Sequence, residues 1–131
     1  MNVTVDTNVL VRAITGDHPR QSKLAQRELA NADFVALTLP ALCELVWVLA
    51  RGYKISNLEI AEAIRRLIDS ANVLVNRPAV ATGLAHLEAG GDFADGIIVY
   101  EGNWLGGETF ISFDKEAVKL TQSGGSSARL L

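Results

Sequence analysis

The chain has 131 residues, a length that suits one domain and leaves little room for two. Hydrophobic residues make up 49% of it, so an aliphatic core can form without disulfides, and the one cysteine, Cys43, fits a soluble protein of the reducing cytoplasm. The net charge of −3 argues at first against a nucleic-acid partner, and the absence of any run of about 18 apolar residues excludes a membrane span.

Short apolar runs alternate with longer helical patterns along the first half of the chain. In order, the pattern predicts a buried strand at 2–5, a helix at 8–14 closed by Gly16, a helix that begins at Asp17 as N-cap, a strand at 34–37, a helix from Thr38 to Arg51, and a helix opened by the capping box Ser56-Asn57-Leu58-Glu59. The second helix is expected to face the core with Leu24, Ala25 and Leu29. The third helix is expected to do so with Leu42, Leu45, Val46 and Leu49.

The second half of the chain continues this alternation. It predicts a strand at 72–76, a helix at 78–89 broken by Gly90-Gly91, a helix at 93–105, a strand at 109–113 and a helix at 114–120. A tail rich in Ser and Gly at 122–127 is expected to be loose, and 128–131 to be a short edge strand or a frayed terminus. Strands separated by helices imply parallel crossovers. We therefore predict one α/β domain over 1–131, a three-layer α/β/α sandwich around a mostly parallel sheet of four to five strands.

Two aspartates directly follow predicted strands. Asp6 comes after the strand at 2–5, and Asp114 comes after the strand at 109–113. In open parallel sheets, ligands bind beyond the carboxyl ends of the strands, so these carboxylates meet at one end of the sheet if the two strands are neighbours. The alternative for each aspartate is that it only caps the helix that follows, a role for which aspartate is well suited.

Three further carboxylates lie within or at the start of apolar helices. Asp92 and Asp95 are three residues apart at a helix start and so project onto one face, although Asp92 is also a natural N-cap. Glu44 lies inside the least polar helix of the chain, where a charge is costly unless a cation or a donor meets it. A salt bridge to Arg51 or a solvent-facing position would equally account for Glu44.

Together these five carboxylates indicate a site for a hard cation. No cysteine or histidine cluster accompanies them, since His18 and His86 lack the spacing of ligands and are expected on the surface or on a helix face. Oxygen ligands favour Mg²⁺ or Mn²⁺ over Zn²⁺. Setting the five acids aside leaves 10 acidic against 12 basic residues, so the remaining surface tolerates a phosphate backbone. In-line hydrolysis of a phosphodiester is the reaction that best uses such a site.

Four stretches carry these acids in order along the chain: Val5-Asp6-Thr7-Asn8-Val9-Leu10, the isolated Glu44, Gly91-Asp92-Phe93-Ala94-Asp95 and Phe110-Ile111-Ser112-Phe113-Asp114. In this order and spacing they resemble the acidic motifs of PIN-domain nucleases, and most of all the VapC type, the toxin half of bacterial toxin–antitoxin pairs. The resemblance runs from residue 2 to about 120. It implies an endoribonuclease that uses Mg²⁺ or Mn²⁺, is usually a homodimer, and is inhibited by a small antitoxin encoded beside it, with which it forms a hetero-oligomer.

The resemblance also assigns roles to single residues. The acids that it places in the metal-binding quartet are Asp6, Glu44, Asp95 and Asp114. Thr7 and Ser112 match hydroxyl positions that hydrogen-bond those acids, Asn8 matches a polar residue beside the site, and Asp92 matches an acid present in many relatives. In the resulting hypothesis the three aspartates of the quartet hold the principal metal, and the glutamate completes the site or orients the attacking water.

The remaining candidates are basic and aromatic. Phosphate contacts are predicted for four basic residues expected near the catalytic end: Arg12, Arg51, Lys54 and Lys115. Trp47, Trp104 and Tyr100 belong either to the core or to surfaces that bind a second copy or an antitoxin.

Other classes of function would leave traces that this chain lacks. A haloacid-dehalogenase-like phosphatase would carry a second aspartate two residues after Asp6, where the chain has Asn8. A receiver domain would need an aspartate after the third strand, where the chain has Asn76. A non-catalytic PIN scaffold that binds RNA or a partner, and a nuclease acting on single-stranded DNA, stay open as alternatives. The complete quartet favours the enzyme, and the short chain favours the small toxin type.

Overall fold

Twelve elements make up the structure, a computed structural model that describes residues 1–131. In chain order they are β1 (Asn2–Thr4), α1 (Thr7–Thr15), α2 (Pro19–Asn31), β2 (Phe34–Ala36), α3 (Leu39–Arg51), α4 (Asn57–Ile68), β3 (Val73–Leu74), α5 (Arg77–Glu88), α6 (Phe93–Trp104), β4 (Thr109–Ser112), α7 (Lys115–Ser123) and β5 (Ser127–Leu130). The predicted alternation of strands and helices is confirmed, and the α/β class with it. None of the seven helices combines the length and the apolar content needed to cross a membrane.

The chain forms two units, Met1–Val75 and Asn76–Leu131, each with its own small sheet. The first unit has the strand order β1-β2-β3, and the second pairs β4 with β5. Every pair is parallel, as predicted. The expected single sheet of four to five strands is corrected to sheets of three and two strands, because the order of elements indicates parallel connections without specifying which strands exchange hydrogen bonds. The single-domain, three-layer arrangement stays a prediction.

Local signals set the helix boundaries of the first unit where the sequence predicts them. Gly16 ends α1 with a φ of 66°, in the left-handed region that favours glycine. The Thr38 hydroxyl caps α3 by accepting from the backbone N–H of Ala41 (3.3 Å), and the Ser56 hydroxyl caps α4 by accepting from that of Glu59 (3.3 Å). The largest fully buried side chains of this unit are Leu10, Val35, Leu42, Leu45, Leu49, Ile60 and Ile64.

Three expectations for the first unit are wrong. The N-cap of α2 is His18, whose ring Nδ1 accepts from the backbone N–H of Gln21 (3.2 Å), because the carboxylate of Asp17 is engaged by other side chains. Leu24 is 50% exposed, so it lies outside the core. The strand β1, predicted to be buried, is an edge strand whose two outer residues are exposed.

In the second unit, α5 and α6 cross at unusually short range through two glycines. A β-carbon placed on Gly96 would stand 2.5 Å from the carbonyl oxygen of Thr82, and one on Gly83 would stand 2.7 Å from the ring of Phe93, which is fully buried. Neither position has room for a side chain. The crossing therefore fixes the first turns of α6, where Asp92 and Asp95 lie, against α5.

The end of the chain is more ordered than predicted. α7 continues to Ser123, so Gln122 and Ser123 belong to a helix and not to a loose tail, because the helical ladder continues to that point. The alternative of an edge strand is confirmed, since β5 pairs in parallel with β4. The Gln122 side chain donates to the carbonyl oxygen of Ala128 (2.9 Å) and so links α7 to β5.

Candidate metal centre

Asp92 and Asp95 lie together at the start of α6. Asp92 is exposed and is the N-cap, since its Oδ1 accepts from the backbone N–H of Ala94 (3.1 Å). Asp95 lies in the first turn, where its backbone N–H donates to the carbonyl oxygen of Asp92 (3.1 Å), and its side chain is half-buried. The apolar run after Asp95 is only partly buried, because Ile98 is exposed.

Asp114 stands where β4 passes into α7. Its Oδ1 accepts from the backbone N–H groups of Glu116 (2.9 Å) and Ala117 (3.2 Å), which caps α7. The hydroxyl of Ser112 accepts from the backbone N–H of Asp114 (2.9 Å). Ser112 thus holds the main chain of Asp114, whereas the resemblance placed its hydrogen bond on an acidic side chain.

In the second unit, two of the predicted acids affect the pKa of a third. Burial, and then the negative charges of Asp92 and Asp114, raise the pKa of the Asp95 carboxyl above its ordinary value of 3.8, while His86 opposes the shift in part. The charges of Asp92 and Asp114 thus act on Asp95, the half-buried carboxyl of the three. A cation bound at Asp95 would offset this repulsion.

In the first unit, Asp6 stands at the carboxyl end of β1 and caps α1. Its Oδ1 accepts from the backbone N–H of Thr7 (2.7 Å). The hydroxyl of Thr7 is buried and donates to the carbonyl oxygen of Ala41 (3.3 Å), so it joins the first turns of α1 and α3. The expected bond from the Thr7 hydroxyl to an acid is therefore corrected: the main chain of Thr7 makes that bond.

Glu44 is exposed on α3, which overturns the argument that its charge is buried. The apolar stripe of Leu42, Leu45 and Leu49 is buried, and Glu44 points away from it. The solvent-facing alternative is the correct description of its position. Its assignment to the quartet now rests on the motif resemblance alone.

Helix capping uses only one carboxylate oxygen of each capping aspartate. In Asp6, Asp92 and Asp114 only Oδ1 accepts a backbone N–H, so Oδ2 has no hydrogen bond within the protein. Neither unit contains a group of three or more His, Cys, Asp and Glu side chains arranged to hold a metal ion. Because Mg²⁺ needs only one or two carboxylates and keeps several waters, these oxygen donors still suit it.

A cavity of about 660 Å³ adjoins Asp6 in the first unit. Asn8 and Arg12 line it with Asp6, and the rest of its wall is mostly apolar. The guanidinium of Arg12 donates to Gln21 Oε1 (2.7 Å) and to Asp17 Oδ1 (3.2 Å). Asn8 and Arg12 thus line the same cavity as Asp6, and their roles stay predictions.

The other basic candidates lie at different places. Lys115 is exposed and directly follows Asp114. Arg51 ends α3, and Lys54 follows it with a φ of 58°. Because α3 begins just after β2 and rises about 18 Å over its length, Arg51 and Lys54 lie at the end of that helix farther from β2, and their contacts with phosphate stay predictions.

Sequence reasoning missed two further residues. His86, expected on the surface or on a helix face, lies on α5 and is only 5% exposed, with its ring nitrogens 3.3 Å from the carbonyl oxygen of Thr82 and 3.4 Å from the Thr121 hydroxyl. Phe113, expected only as the last residue of a strand, is exposed directly before Asp114. An internal glycine one turn before His86 in the predicted helix was the one signal of close packing there.

Comparison with known proteins bears on all the candidate carboxylates. A family model described as PIN domain matches residues 3–120. All five carboxylates singled out above lie inside the matched range: Asp6, Glu44, Asp92, Asp95 and Asp114. No curated protein matches the chain.

Proposed function

The chain belongs to the PIN domain family, and from this premise we propose that it is a metal-dependent endoribonuclease that hydrolyses phosphodiester bonds of RNA. PIN domains are typically nucleases, and those generally use divalent metal ions. The observation that carries the proposal is the position of Asp92, Asp95 and Asp114 at the starts of α6 and α7, where the charges of Asp92 and Asp114 act on the half-buried Asp95. Like-charged carboxylates so arranged, without a cysteine or histidine cluster, suit a hard cation.

The proposed cation is Mg²⁺, with Mn²⁺ as a substitute. Asp95 and Asp114 hold it, with Asp92 beside them, and Asp6 and Glu44 belong to the proposed set on the strength of the motif resemblance. When bound, the cation supplies a Lewis acid for the phosphate and lowers the pKa of an attacking water.

The chain's own residues prepare this chemistry by position. Asp114 keeps Oδ1 on the amides of α7, so its free Oδ2 has a defined direction. Ser112 holds the main chain of Asp114 from the strand side. Lys115, exposed beside Asp114, offers a positive charge to a phosphate of the substrate.

We further propose that the protein is the VapC-type toxin of a bacterial pair. The supporting feature is the motif resemblance, which runs from residue 2 to about 120. In this role the protein acts in the cytoplasm, forms a homodimer, and is inhibited in a hetero-oligomer with an antitoxin. Trp47 is exposed on α3 and is proposed as part of an assembly surface, so Trp47→Ala should lower the mass measured by light scattering.

The deciding experiment is cleavage of a mixed RNA pool by purified protein free of any antitoxin, with Mg²⁺ and with EDTA. Asp114→Asn is the matched variant, because asparagine keeps the side-chain oxygen that caps α7 and loses the charge. Asp6→Asn applies the same logic to α1. Cleavage that requires metal and is lost in both folded variants supports the proposal.

Two results would redirect the proposal. Cleavage of single-stranded DNA but not of RNA would change the substrate and keep the nuclease. If the folded wild type binds RNA but cuts neither nucleic acid, the protein is a non-catalytic RNA-binding scaffold and not an enzyme.

A further inference from the structure

Phe113 presents its ring to solvent at the edge of the candidate site. Its side chain is 83% exposed, although it lies between the last residue of β4 and the N-cap of α7. Its neighbours along the chain are Ser112, Asp114 and Lys115. An exposed aromatic side chain thus directly precedes a proposed metal-binding carboxylate in the chain, and an exposed lysine directly follows that carboxylate.

The main chain on both sides of Phe113 is held in place. The hydrogen bond from the Asp114 N–H to the Ser112 hydroxyl (2.9 Å) closes a turn around Phe113. On the strand side, the backbone N–H of Leu131 donates to the carbonyl oxygen of Ser112 (2.9 Å), and on the helix side Asp114 caps α7. The ring therefore projects from a fixed backbone, which lowers the entropy lost when a ligand settles on it.

Other apolar side chains of the second unit are exposed as well. Ile111 of β4 is 52% exposed and lines a cavity of about 240 Å³ with Ile98 of α6. The exposed ring of Phe113 offers an apolar face to a ligand, and the positive charge of Lys115, two positions later in the chain, complements a phosphate. The two residues together suit a ligand with planar apolar groups on an anionic backbone.

We propose that Phe113 is a base-stacking residue that holds an unpaired nucleobase of single-stranded RNA next to the carboxylates of the second unit. The inference rests on the proposed function and names a residue of this chain that contacts the substrate. Bases in a duplex are stacked on one another and cannot lie on a side-chain ring, whereas those of single-stranded RNA can. Phe113 acts on binding and leaves the chemical step to the carboxylates.

The test compares variants of Phe113 on a short single-stranded oligoribonucleotide. Phe113→Ala and Phe113→Leu remove the aromatic face and should raise KM about tenfold with kcat nearly unchanged, while Phe113→Trp should restore KM. The control is Trp104→Ala, which removes a ring that is 76% exposed in the same unit but lies at the opposite end of β4. It should leave KM unchanged. The Kd for the same RNA, labelled and measured in EDTA by fluorescence anisotropy, should rise in the variants that raise KM and return to the wild-type value in Phe113→Trp.

The outcomes separate this inference from the proposed function. If the wild type cleaves RNA and all Phe113 variants keep its KM and its affinity in EDTA, the stacking role is overturned and the nuclease stands. A change of mass of Phe113→Ala in light scattering would overturn it too, by making Phe113 an assembly contact. If the wild type neither cleaves nor binds RNA, the proposed function fails and the stacking role fails with it. Duplex RNA that binds as tightly as the single strand would also count against stacking.

Discussion

The α-carbon of Gly83 lies 2.7 Å from the point at which a β-carbon would stand on Gly96. The two helices α5 and α6 therefore meet backbone to backbone, one residue away from Asp95. This contact, and not a loop, places the half-buried carboxylate of the candidate metal centre.

Gly96→Ala should destabilise the protein by about 1–3 kcal/mol, the usual cost of overpacking a closed contact, because its methyl group would meet backbone atoms that cannot rotate away. Gly102→Ala is the matched control, since Gly102 lies in the same helix with nothing within 4 Å of an added β-carbon. It should be neutral or stabilising by up to about 1 kcal/mol, because alanine favours the helix. Urea unfolding of both variants measures the difference, and equal stabilities would contradict the close crossing.

Asp95→Asn should raise the melting temperature at pH 7 in EDTA. The raised pKa of Asp95 means that the folded protein binds more protons than the unfolded chain between 3.8 and that raised value, so stability falls as pH rises through this window. The ionised carboxylate thus costs stability at neutral pH, and asparagine removes that cost. Well below pH 3.8 the carboxyl is protonated in both states, and the variant should lose its advantage. Thermal unfolding of both proteins as a function of pH measures this difference. A variant that is less stable than the wild type at pH 7 would contradict the raised pKa of Asp95.

Mg²⁺ should stabilise the wild type against heat and leave Asp95→Asn and Asp114→Asn nearly unaffected. Ligand that binds only the folded state adds about 2.7 kcal/mol at a concentration one hundred times its Kd. Addition of EDTA should reverse the gain. Glu101→Gln, which changes an exposed acid farther along α6, is the control and should keep the response to Mg²⁺. A similar gain in all four proteins would indicate nonspecific ion effects.

Tyr53→Phe should raise the pKa of Asp17 toward 3.8. In the wild type, the hydrogen bond from the Tyr53 hydroxyl (2.7 Å) is the largest cause that lowers this pKa, followed by the bond from the Thr15 hydroxyl (2.8 Å) and the charge of Arg12. The lowered pKa contributes stability above 3.8 that is lost as pH falls through the lowered value, so the variant should be less stable than the wild type only above that range. NMR titration of the Asp17 carboxyl is the measurement, and an unchanged pKa would show that the bond does not form in solution.

Features decided within about four residues could be predicted from the sequence alone. The caps Thr38 and Ser56, the left-handed stop at Gly16, the alternation of strands with helices and the order of the acidic motifs are of this kind, because their hydrogen bonds join neighbours along the chain. The same local logic explains why Asp6, Asp92 and Asp114 were foreseen both as caps and as ligands. The sequence could offer both roles, and the structure gives each of these aspartates one oxygen for the cap and one free.

Exposure and proximity were decided only by the tertiary structure. Glu44 and Leu24 face solvent, His86 is buried, and the strands pair as three and two, because each of these facts depends on elements distant in the chain. The effect of the Asp114 charge on the pKa of Asp95 is of the same kind. The two residues have 18 others between them in the sequence, and the packing of α6 and α7 brings their charges within range. Sequence periodicity describes which face of a helix is apolar, but the neighbours that cover that face, and so the pKa of a carboxylate on it, come from the assembled fold.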